Sequence, residues 1–315
     1  MKGKPTFTVF TPTFNRVHLL GRAFQSLKAQ TFRDFEWVIV DDGSTDGTQD
    51  AVTHWIKEVD FPITYIWQPN SGKHVAINRG VELAKGELFV VLDSDDWLVP
   101  TALERLLYWW ETVPFEDRGN YTGVAGLYAY PSGKVVGSPF PAPVIDSNAV
   151  EIRTKYRVKG DKFGMNRTEV LREFPFPENL GRFVTESLVW NRIAEKYRIR
   201  FVNEVFAYTE YQQEGLSARS IELRAQSSAA ARTYYREFVE LEGFYIPFFD
   251  RLRACANYVR FSLHGKVSLR NQFKEITKKG LYLLSLPIGL MVYIRDKKVL
   301  SQKASPEKLV SGEKK

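Results

Sequence analysis

The sequence is poor in cysteine and histidine, and this scarcity limits the kinds of site that it can build. It has 315 residues, with one cysteine, Cys255, and four histidines. A single cysteine excludes an internal disulfide and fits a reducing compartment. Because no histidines cluster with cysteine, a structural zinc site is not expected.

Long apolar runs are also missing. No stretch of the sequence reaches the ~20 apolar residues that a membrane-spanning helix needs. The first residues lead directly into a strand pattern, so we expect no signal peptide there: MKGKPTFTVF. These features together favour a cytoplasmic protein.

The sequence lacks the glycine-rich phosphate loops GxGxxG and GxxxxGKS, which excludes a plain dinucleotide-binding fold and a P-loop enzyme. Its net charge of +7 nevertheless favours an anionic partner. The basic residues cluster beside an apolar run near the C-terminus and not along a groove interleaved with aromatics. We therefore expect no nucleic-acid partner.

What the sequence does have is a regular alternation of strand and helix patterns over about 95 residues. Apolar runs predict strands, and helical spacing predicts helices: strands at Phe7–Phe10, Trp37–Val40, Ile63–Trp67 and Leu88–Leu92, and helices at Arg16–Ala29, Thr48–Val59 and His74–Ala84. Asn15 and Asp46 are the predicted caps of the first two helices. The alternation predicts an α/β fold, with a parallel sheet, helices on both faces and loops gathered at one edge.

The pattern changes after Pro100. The later segments read as a mixture of elements: a helix at Ala102–Trp110, a hairpin of Tyr121–Tyr130 with Lys134–Val136, strands at Phe163–Asn166, Ile199–Asn203 and Phe206–Glu210, and helices near Glu169 and at Thr185–Lys196. From Ser217 the composition is helical and basic. We therefore divide the chain into a domain at 1–215, with halves 1–100 and 101–215, and a helical extension at 216–315.

The strongest chemical signal lies in Glu87–Leu98. An unbroken apolar run, typical of a buried strand, is followed directly by Asp93, Asp95 and Asp96. Three carboxylates so close together repel one another, and a bound Mg²⁺ or Mn²⁺ relieves the repulsion because carboxylate oxygens are the ligands these ions prefer. The alternative is that Asp96 caps the next helix, although one aspartate would suffice for that.

Three other polar loops also follow strands: TPTFNR, DDGS and NSGK. Asp41 comes directly off a buried strand, so it is expected to face the same edge of the sheet as Asp95. Phe14 can stack on a flat base or pack in the core. Lys73 suits a phosphate group or is an ordinary surface lysine. For both residues the two interpretations stay open.

Four segments together resemble family 2 glycosyltransferases with the GT-A fold: FTVFTPTFNR, FEWVIVDDGSTDGT, NSGKHVAINRG and KGELFVVLDSDDW. The similarity covers about residues 5–115. It implies a mainly parallel, Rossmann-like sheet flanked by helices, with a nucleotide-sugar-binding half at 1–100 and an acceptor half at 101–215. It also implies a hexosyltransferase-type enzyme that moves a sugar from a nucleotide-diphosphate donor with inversion, UDP being the default nucleotide of the family.

The resemblance assigns roles within the first half. Asp41, as the first aspartate of DDGS, would contact the nucleobase. Asp95 and Asp96 would hold the metal, and Asp95 would also bind the donor. The remaining donor-binding residues implied by the resemblance are Pro12, Thr13, Phe14 and Asp93. Asn15, Lys73 and Ser94, in the same loops, complete the predicted donor-binding set.

The second half departs from the family pattern. The family carries a Glu-Asp pair at a helix start, and its aspartate is the general base; here Thr185 and Glu186 occupy those positions. Glu186 can take the acceptor proton, or it can be a first-turn glutamate favoured by the helix dipole behind a Thr185 cap. Glu204 and Glu210 are the fallback bases. Three aromatic residues are candidates for sugar-ring surfaces or for the core: Trp97, Trp190 and Tyr208.

Near the C-terminus, Leu281–Ile294 is largely apolar and is interrupted by Pro287. Basic residues flank it: Arg260, Lys266, Arg270, Lys274, Lys278 and Lys279 before it, and Arg295, Lys297 and Lys298 after it. Either this segment lies in the interface of an anionic membrane, making the protein peripheral on the inner face of the cell membrane, or it packs as a core helix. The tail, Ser301–Lys315, is expected to be disordered.

These features predict a metal-dependent inverting glycosyltransferase that acts on a glycan or lipid-linked acceptor in the synthesis of surface polysaccharide or glycolipid. An inactive nucleotide-sugar sensor or scaffold remains an alternative. A sugar-nucleotide nucleotidyltransferase is a weaker one, because that class wants a glycine-rich, arginine-containing loop where this chain has TPTFNR.

Overall fold

The computed structural model describes residues 3–210 and 220–304. The chain forms two compact units, Met1–Arg182 with Glu186–Gln213 and Phe183–Thr185 with Glu214–Lys315. The predicted domain boundary at 215/216 lies outside the described residues, as does the predicted disordered tail from residue 305 onward. Residues 301–304 of that tail are helical, so the prediction of disorder is wrong for them. The division into a catalytic domain and an extension therefore stays a prediction.

The first unit alternates strands and helices along its described residues. Its strands are β1 (Phe7–Thr13), β2 (Phe35–Asp41), β3 (Ile63–Trp67), β4 (Leu88–Val91), β5 (Trp97–Leu98), β6 (Tyr121–Ala129), β7 (Val144–Ser147), β8 (Lys162–Arg167) and β9 (Arg198–Tyr208). Its helices are α1 (Val17–Lys28), α2 (Thr48–Trp55), α3 (Lys73–Leu83), α4 (Ala102–Glu111), α5 (Glu151–Thr154), α6 (Thr168–Glu173) and α7 (Ser187–Ala194), with 3-10 turns at Phe115–Asn120 and Glu178–Leu180.

These strands form one sheet in the order β3-β2-β1-β4-β8-β6-β9-β5, with β7 paired to β9. The first four strands are parallel, and the register aligns Thr13 with Asp41 and Asp41 with Trp67. The carboxyl ends of β1, β2 and β3 thus reach the same edge. Antiparallel β8 then adds to β4 and makes the sheet mixed. The predicted α/β class, with helices flanking a mainly parallel sheet, is confirmed.

Trp37 on β2 anchors the core beneath this edge. Its ring is fully buried and stacks near Phe24 of α1 and Trp55 of α2. Its indole N–H donates to the Thr11 hydroxyl at 2.9 Å, which satisfies the polar atom that a buried tryptophan carries. The aromatic cluster fixes β2 against α1 and α2, and so fixes where the loops after β1 and β2 emerge.

The predicted Asn15 cap of α1 is wrong. The N-cap residue is Arg16, and Asn15 has a left-handed backbone with φ 51°. The first helical amide, that of Val17, donates instead to Asp46 at 2.9 Å. Asp46 also accepts from the amide of Thr48, the first residue of α2. One carboxylate from the second loop therefore serves two helix starts.

Two late strands predicted separately are one strand. The segment from Ile199 to Tyr208 runs continuously as β9 and pairs with β6 through several register shifts. At Glu204 the chain stays extended, and Arg105 and Trp109 of α4 hold its carboxylate. Both partners lie far from Glu204 in sequence, and they satisfy its charged side chain within the strand.

The second unit is helical in its described part, with α8 (Ser220–Gln226), α9 (Ser228–Glu240), α10 (Phe248–His264), α11 (Leu269–Glu275) and α12 (Lys279–Ala304). Helix α10 packs against both α9 and α12. Pro287 lies inside α12 without ending it. Across the described ranges, no helix is long and apolar enough to cross a membrane.

Candidate active site

The four loops that follow β1 to β4 are joined by hydrogen bonds. The Asn15 amide donates to the Ser44 hydroxyl at 2.8 Å, and the Thr45 amide donates to the Asn15 side chain at 2.8 Å. The Asp42 amide donates to the Thr13 carbonyl. The first two loops are therefore one structure, in which Asn15 acts as a connector.

Asp42 connects the second loop to the third. Its carboxylate accepts from the amides of Ser71 and Gly72, both at 2.8 Å. Gly72 has φ 103°, and a Cβ there would meet the Arg182 carbonyl at 2.3 Å, so only glycine fits. Asp42 was not singled out from the sequence; its position beside Asp41 in the DDGS turn was the available signal.

Asp41 lies at the end of β2 and is buried. One of its carboxylate oxygens accepts from the Ser44 amide and the other from the Tyr65 hydroxyl, each at 2.7 Å. Burial and the hydrogen bond to Asp41 raise the pKa of Tyr65, so this hydroxyl stays a donor. The fixed Asp41 carboxylate lies at the edge predicted for it.

The acidic cluster follows β4 as predicted. One ligand oxygen from each of Asp93, Asp95 and Asp96 lies within 4.8 Å of the others, a grouping suited to a metal ion. Asp96 is only 5% exposed, and neighbouring Ser94 is buried as well. The N-cap residue of α4 is Thr101, so the alternative in which Asp96 caps that helix is wrong.

Asp96 differs electrostatically from its neighbours. Burial, followed by the charges of Asp93 and Asp95, raises its pKa to about 7, although hydrogen bonds from Thr209 and Tyr128 act in the opposite direction. Asp96 therefore changes its protonation state near neutral pH.

Two cationic side chains of the protein already contact the cluster. Lys73 Nζ lies 2.7 Å from Asp93, and Arg16 lies 2.8 Å from Asp95. Lys73 and Arg16 therefore relieve part of the repulsion among the three carboxylates, so a bound metal ion is not their sole source of positive charge. Arg16 belongs to the TFNR segment, but no sequence pattern indicates its partner 79 residues away.

Lys73 also reaches the second half of the unit. The same ammonium group lies 2.7 Å from Glu186, the N-cap residue of α7. Burial alone would lower the pKa of Lys73, but Asp93 and Glu186 raise it, so the amine stays charged. Lys73 is therefore not an ordinary surface lysine, and that alternative is wrong. Thr185 is not the cap, and no side-chain hydrogen bond caps α7.

Residues 8–117 match the family model described as Glycosyl transferase family 2. We name this stretch the family 2 domain because of its similarity to family 2 glycosyltransferases. A curated relative, the GalNAc(5)-diNAcBac-PP-undecaprenol beta-1,3-glucosyltransferase of Campylobacter jejuni, is 38% identical over 105 residues, which are 33% of this chain and 34% of the relative. The chain spans about a third of the length of the first curated relatives it matches.

Similarity to solved structures extends over more of the chain. Residues 1–349 of S. aureus TarS in complex with UDP-GlcNAc give a TM-score of 0.59 at 19% identity, covering 90% of this chain and 80% of that one. The mannosyltransferase PcManGT of Pyrobaculum calidifontis, in complex with GDP-Man and Mn²⁺, gives 0.56 at 19% identity, covering 93% and 88%. At these identities the likeness shows the fold, and the predicted GT-A type is confirmed.

Aromatic side chains border the loops of the family 2 domain. Phe14 is 45% exposed, so its interpretation as a core residue is wrong. Trp67 at the end of β3 is also exposed and aligns with Asp41, and it was not among the predicted site residues. Trp97 and Tyr208 pack against each other with ring centroids 5.8 Å apart, and Arg22 lies over Trp97. The edge thus offers exposed rings beside Asp41.

The fallback bases occupy different surroundings. Glu204 is held by Arg105 and Trp109, which lower its pKa against the effect of burial. Glu210 forms an ion pair with Arg22. Arg22 also donates to the Asp95 carbonyl at 3.4 Å, so Glu210 lies beside the acidic cluster whereas Glu204 is bound to α4. Trp190 packs edge-on against Phe176.

Proposed function

We propose that this chain is an inverting glycosyltransferase that moves a sugar from a nucleotide-diphosphate donor, with UDP as the default nucleotide, to a hydroxyl group of its acceptor. The observation that carries the proposal is the position of Lys73 between Asp93 and Glu186. A residue assigned to the donor and the residue assigned as base lie within reach of one ammonium group. A sugar bound there would have donor chemistry on one side and a proton acceptor on the other.

The donor would occupy the edge formed by the first four loops. Asp41 would contact the base, and the exposed ring of Phe14 could stack on it. The remaining proposed donor contacts are Pro12, Thr13, Asn15, Lys73, Asp93, Ser94 and Asp95. The UDP-GlcNAc complex of TarS, a protein of similar fold, supports a nucleotide sugar as the donor class.

A divalent cation, Mn²⁺ or Mg²⁺, fits the acidic cluster because three oxygen-donor groups converge there. We propose Asp95 and Asp96 as its ligands, and the Mn²⁺ complex of PcManGT supports this metal class. When bound, such a cation offsets the negative charge that develops on the leaving diphosphate. Arg16 and Lys73 would add positive charge on either side of the leaving group.

Glu186 would act as the general base. A hydroxyl group attacks poorly until its proton is removed, and a positioned carboxylate typically contributes about 10² to 10⁴ in rate. Lys73 holds the Glu186 carboxylate in an ion pair at 2.7 Å. The diphosphate would compete for the Lys73 ammonium group and leave Glu186 free to accept the acceptor's proton.

We propose a glycan or lipid-linked acceptor in surface-polysaccharide synthesis, and a location on the cytoplasmic face of the membrane as a peripheral protein. The Campylobacter relative is named for an acceptor glycan linked to PP-undecaprenol, and this name supports a lipid-linked acceptor class. A nucleotide-sugar donor and a lipid-linked acceptor meet at the surface of a membrane.

A donor panel tests the proposal. UDP-, GDP- and dTDP-sugars are compared by thermal shift with and without Mn²⁺, and the stabilising donor is then assayed for transfer to a lipid-linked glycan. We expect one donor class to raise the melting temperature in a metal-dependent way and to be consumed with acceptor present. If a donor raises the melting temperature but is neither transferred nor hydrolysed, the result would instead support an inactive nucleotide-sugar sensor. Pyrophosphate release from a nucleoside triphosphate and a sugar phosphate would indicate a nucleotidyltransferase.

A further inference from the structure

One face of helix α12 is buried against other helices of the second unit. Tyr282, Ser285, Gly289 and Asp296 are buried on this face. A Cβ at Gly289 would lie 2.6 Å from the Val259 side chain, so α12 and α10 approach closely at this point. This packing agrees with one of the two predictions for the apolar segment Leu281–Ile294, namely that it packs as a core helix.

An ion pair fixes the same face at its C-terminal end. The buried carboxylate of Asp296 accepts from Arg260 at 2.7 Å and contacts His264 at 3.0 Å. Arg260 therefore has a partner within the unit and is not a candidate for contact with a membrane. Lys278 is likewise 3.5 Å from Glu242. Of the predicted membrane-facing cations, Arg260 and Lys278 form ion pairs inside the unit, and Lys279 donates to the Phe273 carbonyl there.

The opposite face of α12 is apolar and exposed. Leu284 is 60% exposed and Met291 64%, and Ile288 and Ile294 share their side of the helix at spacings of three and four residues. Leu283 is exposed beside them. From Leu281 to Ile294 the sequence contains no charged residue. A helix that packed only as a core element would not leave such a face uncovered.

The exposed face continues onto α10. Phe249 is 78% exposed and lines an apolar groove together with Ile288 and Val292 of α12. Phe248 contacts Phe249 edge to face, at 5.6 Å between ring centroids. We define the α12 face as Phe249, Leu283, Leu284, Ile288, Met291 and Ile294.

The charges at the end of this face indicate its occupant. Arg295 and Lys298 lie four and seven residues after Met291, which places them on the same side of the helix, and both are exposed. Within the described ranges neither has an ion-pair partner. The single acidic residue of α12, Asp296, is buried on the other side. A second copy would bring the same cations and no complementary acid, whereas a bilayer with anionic headgroups supplies both an apolar layer and negative charge.

We propose that the α12 face docks the chain on an anionic lipid bilayer, with α12 lying along the surface. The apolar side chains insert at the level of the headgroups and acyl chains, and Arg295 and Lys298 contact lipid phosphates. This inference specifies the surface behind the proposed membrane location, and it does not depend on which sugar is transferred. It combines the two predicted alternatives, since one face of α12 packs on the protein and the other contacts lipid.

Flotation of the full chain with phosphatidylcholine vesicles, with and without phosphatidylglycerol, tests the proposal. The wild type should float with anionic vesicles at low salt and partly detach at high salt. Leu284→Gln with Met291→Gln should lower the constant for binding to vesicles by about tenfold or more. The reason is that burial of a single such side chain raises that constant by roughly a factor of ten. Arg295→Gln with Lys298→Gln should weaken binding to anionic vesicles alone, by roughly fivefold per charge.

The matched control is Phe115→Gln, because Phe115 is 82% exposed in the first unit and should not affect flotation. Sugar transfer to a water-soluble acceptor, measured without vesicles, should be unchanged in all variants, so a failure of the transferase proposal is seen separately. A Leu284→Gln, Met291→Gln variant that floats like the wild type would overturn the docking proposal. So would a wild type that stays off vesicles but dimerises through these two residues, since the face would then be an interface between copies.

Discussion

Lys73 Nζ lies 2.7 Å from a carboxylate oxygen of Glu186 and 2.7 Å from one of Asp93. These carboxylates come from different halves of the first unit, one from the loop after β4 and the other from the start of α7. A single ammonium group thus links the two ends of the proposed reaction. Substituting these residues one at a time separates their roles.

Replacing Glu186 by Gln should lower turnover by roughly 10² or more and leave donor affinity near that of the wild type, because the amide cannot accept the acceptor's proton. Steady-state transfer and calorimetric donor titration measure the two quantities. Glu195→Gln is the matched control, since Glu195 is an exposed glutamate at the other end of α7. Near-normal turnover in Glu186→Gln would assign the role of general base to Glu210, because Arg105 and Trp109 of α4 hold the Glu204 carboxylate.

Asp95→Asn and Asp96→Asn should each abolish Mn²⁺-dependent donor binding while keeping the shape of the side chain. The physical reason is that a carboxylate is a far better ligand for a hard cation than an amide oxygen. Isothermal titration of the donor with Mn²⁺ and with EDTA gives the measurement, and exposed Asp117→Asn is the control. Donor affinity that is equal with and without metal in both variants would argue against metal-assisted binding.

Lys73→Met should destabilise the metal-free protein, by about 1–3 kcal/mol, because it leaves two partly buried carboxylates without their cation. Added Mn²⁺ should then raise the melting temperature more in the variant than in the wild type, since the ion takes over the neutralising role. Denaturant unfolding and thermal shift measure these effects. Lys57→Met, at an exposed position, serves as control. An equal Mn²⁺ response in the variant and wild type would mean that Lys73 and the metal do not share these carboxylates.

The raised pKa of Asp96 predicts a pH-dependent stability. The folded chain holds this proton up to about pH 7, whereas the unfolded chain releases it near 3.8. Stability from this group is therefore fully present below about pH 4 and is lost as pH rises through 7. In EDTA, Asp96→Asn should gain stability relative to the wild type over that window, by up to a few kcal/mol, since one pKa unit is worth about 1.4 kcal/mol.

Denaturant unfolding at pH 4 to 8 provides the comparison for Asp96. The exposed Asp117→Asn variant should track the wild type across the same range. A constant difference between Asp96→Asn and the wild type at every pH would show that Asp96 titrates normally in the folded chain.

The local pattern of the sequence predicted most elements of the first half. The strand at Ile63–Trp67 has the predicted bounds, and the acidic loop follows β4 as expected. These predictions succeed because apolar runs and helical spacing are local, and because right-handed crossovers bring successive parallel strands to one edge. The motif residues of the family 2 domain could therefore be placed at that edge without coordinates.

Contacts between residues that lie far apart in the chain could not be predicted from the sequence. Asn15 had the right residue type for a cap, but its amide oxygen accepts from the Thr45 amide while Asp46 satisfies the Val17 amide. The two predicted late strands form one strand that pairs with β6 and β7, and Arg105 from another element holds Glu204 within it. Such contacts depend on how elements pack and not on the spacing of residues along one element.

By itself, the sequence determined the β-α order, the edge at which the polar loops meet, and the lack of charge between Leu281 and Ile294. Only the tertiary structure decided that Lys73 pairs with Glu186, that Arg16 pairs with Asp95, and that α12 buries Gly289 and exposes Met291. The reason is physical: periodicity along the chain fixes which residues share a face of an element. The partner of that face is fixed by packing between segments that lie far apart in sequence.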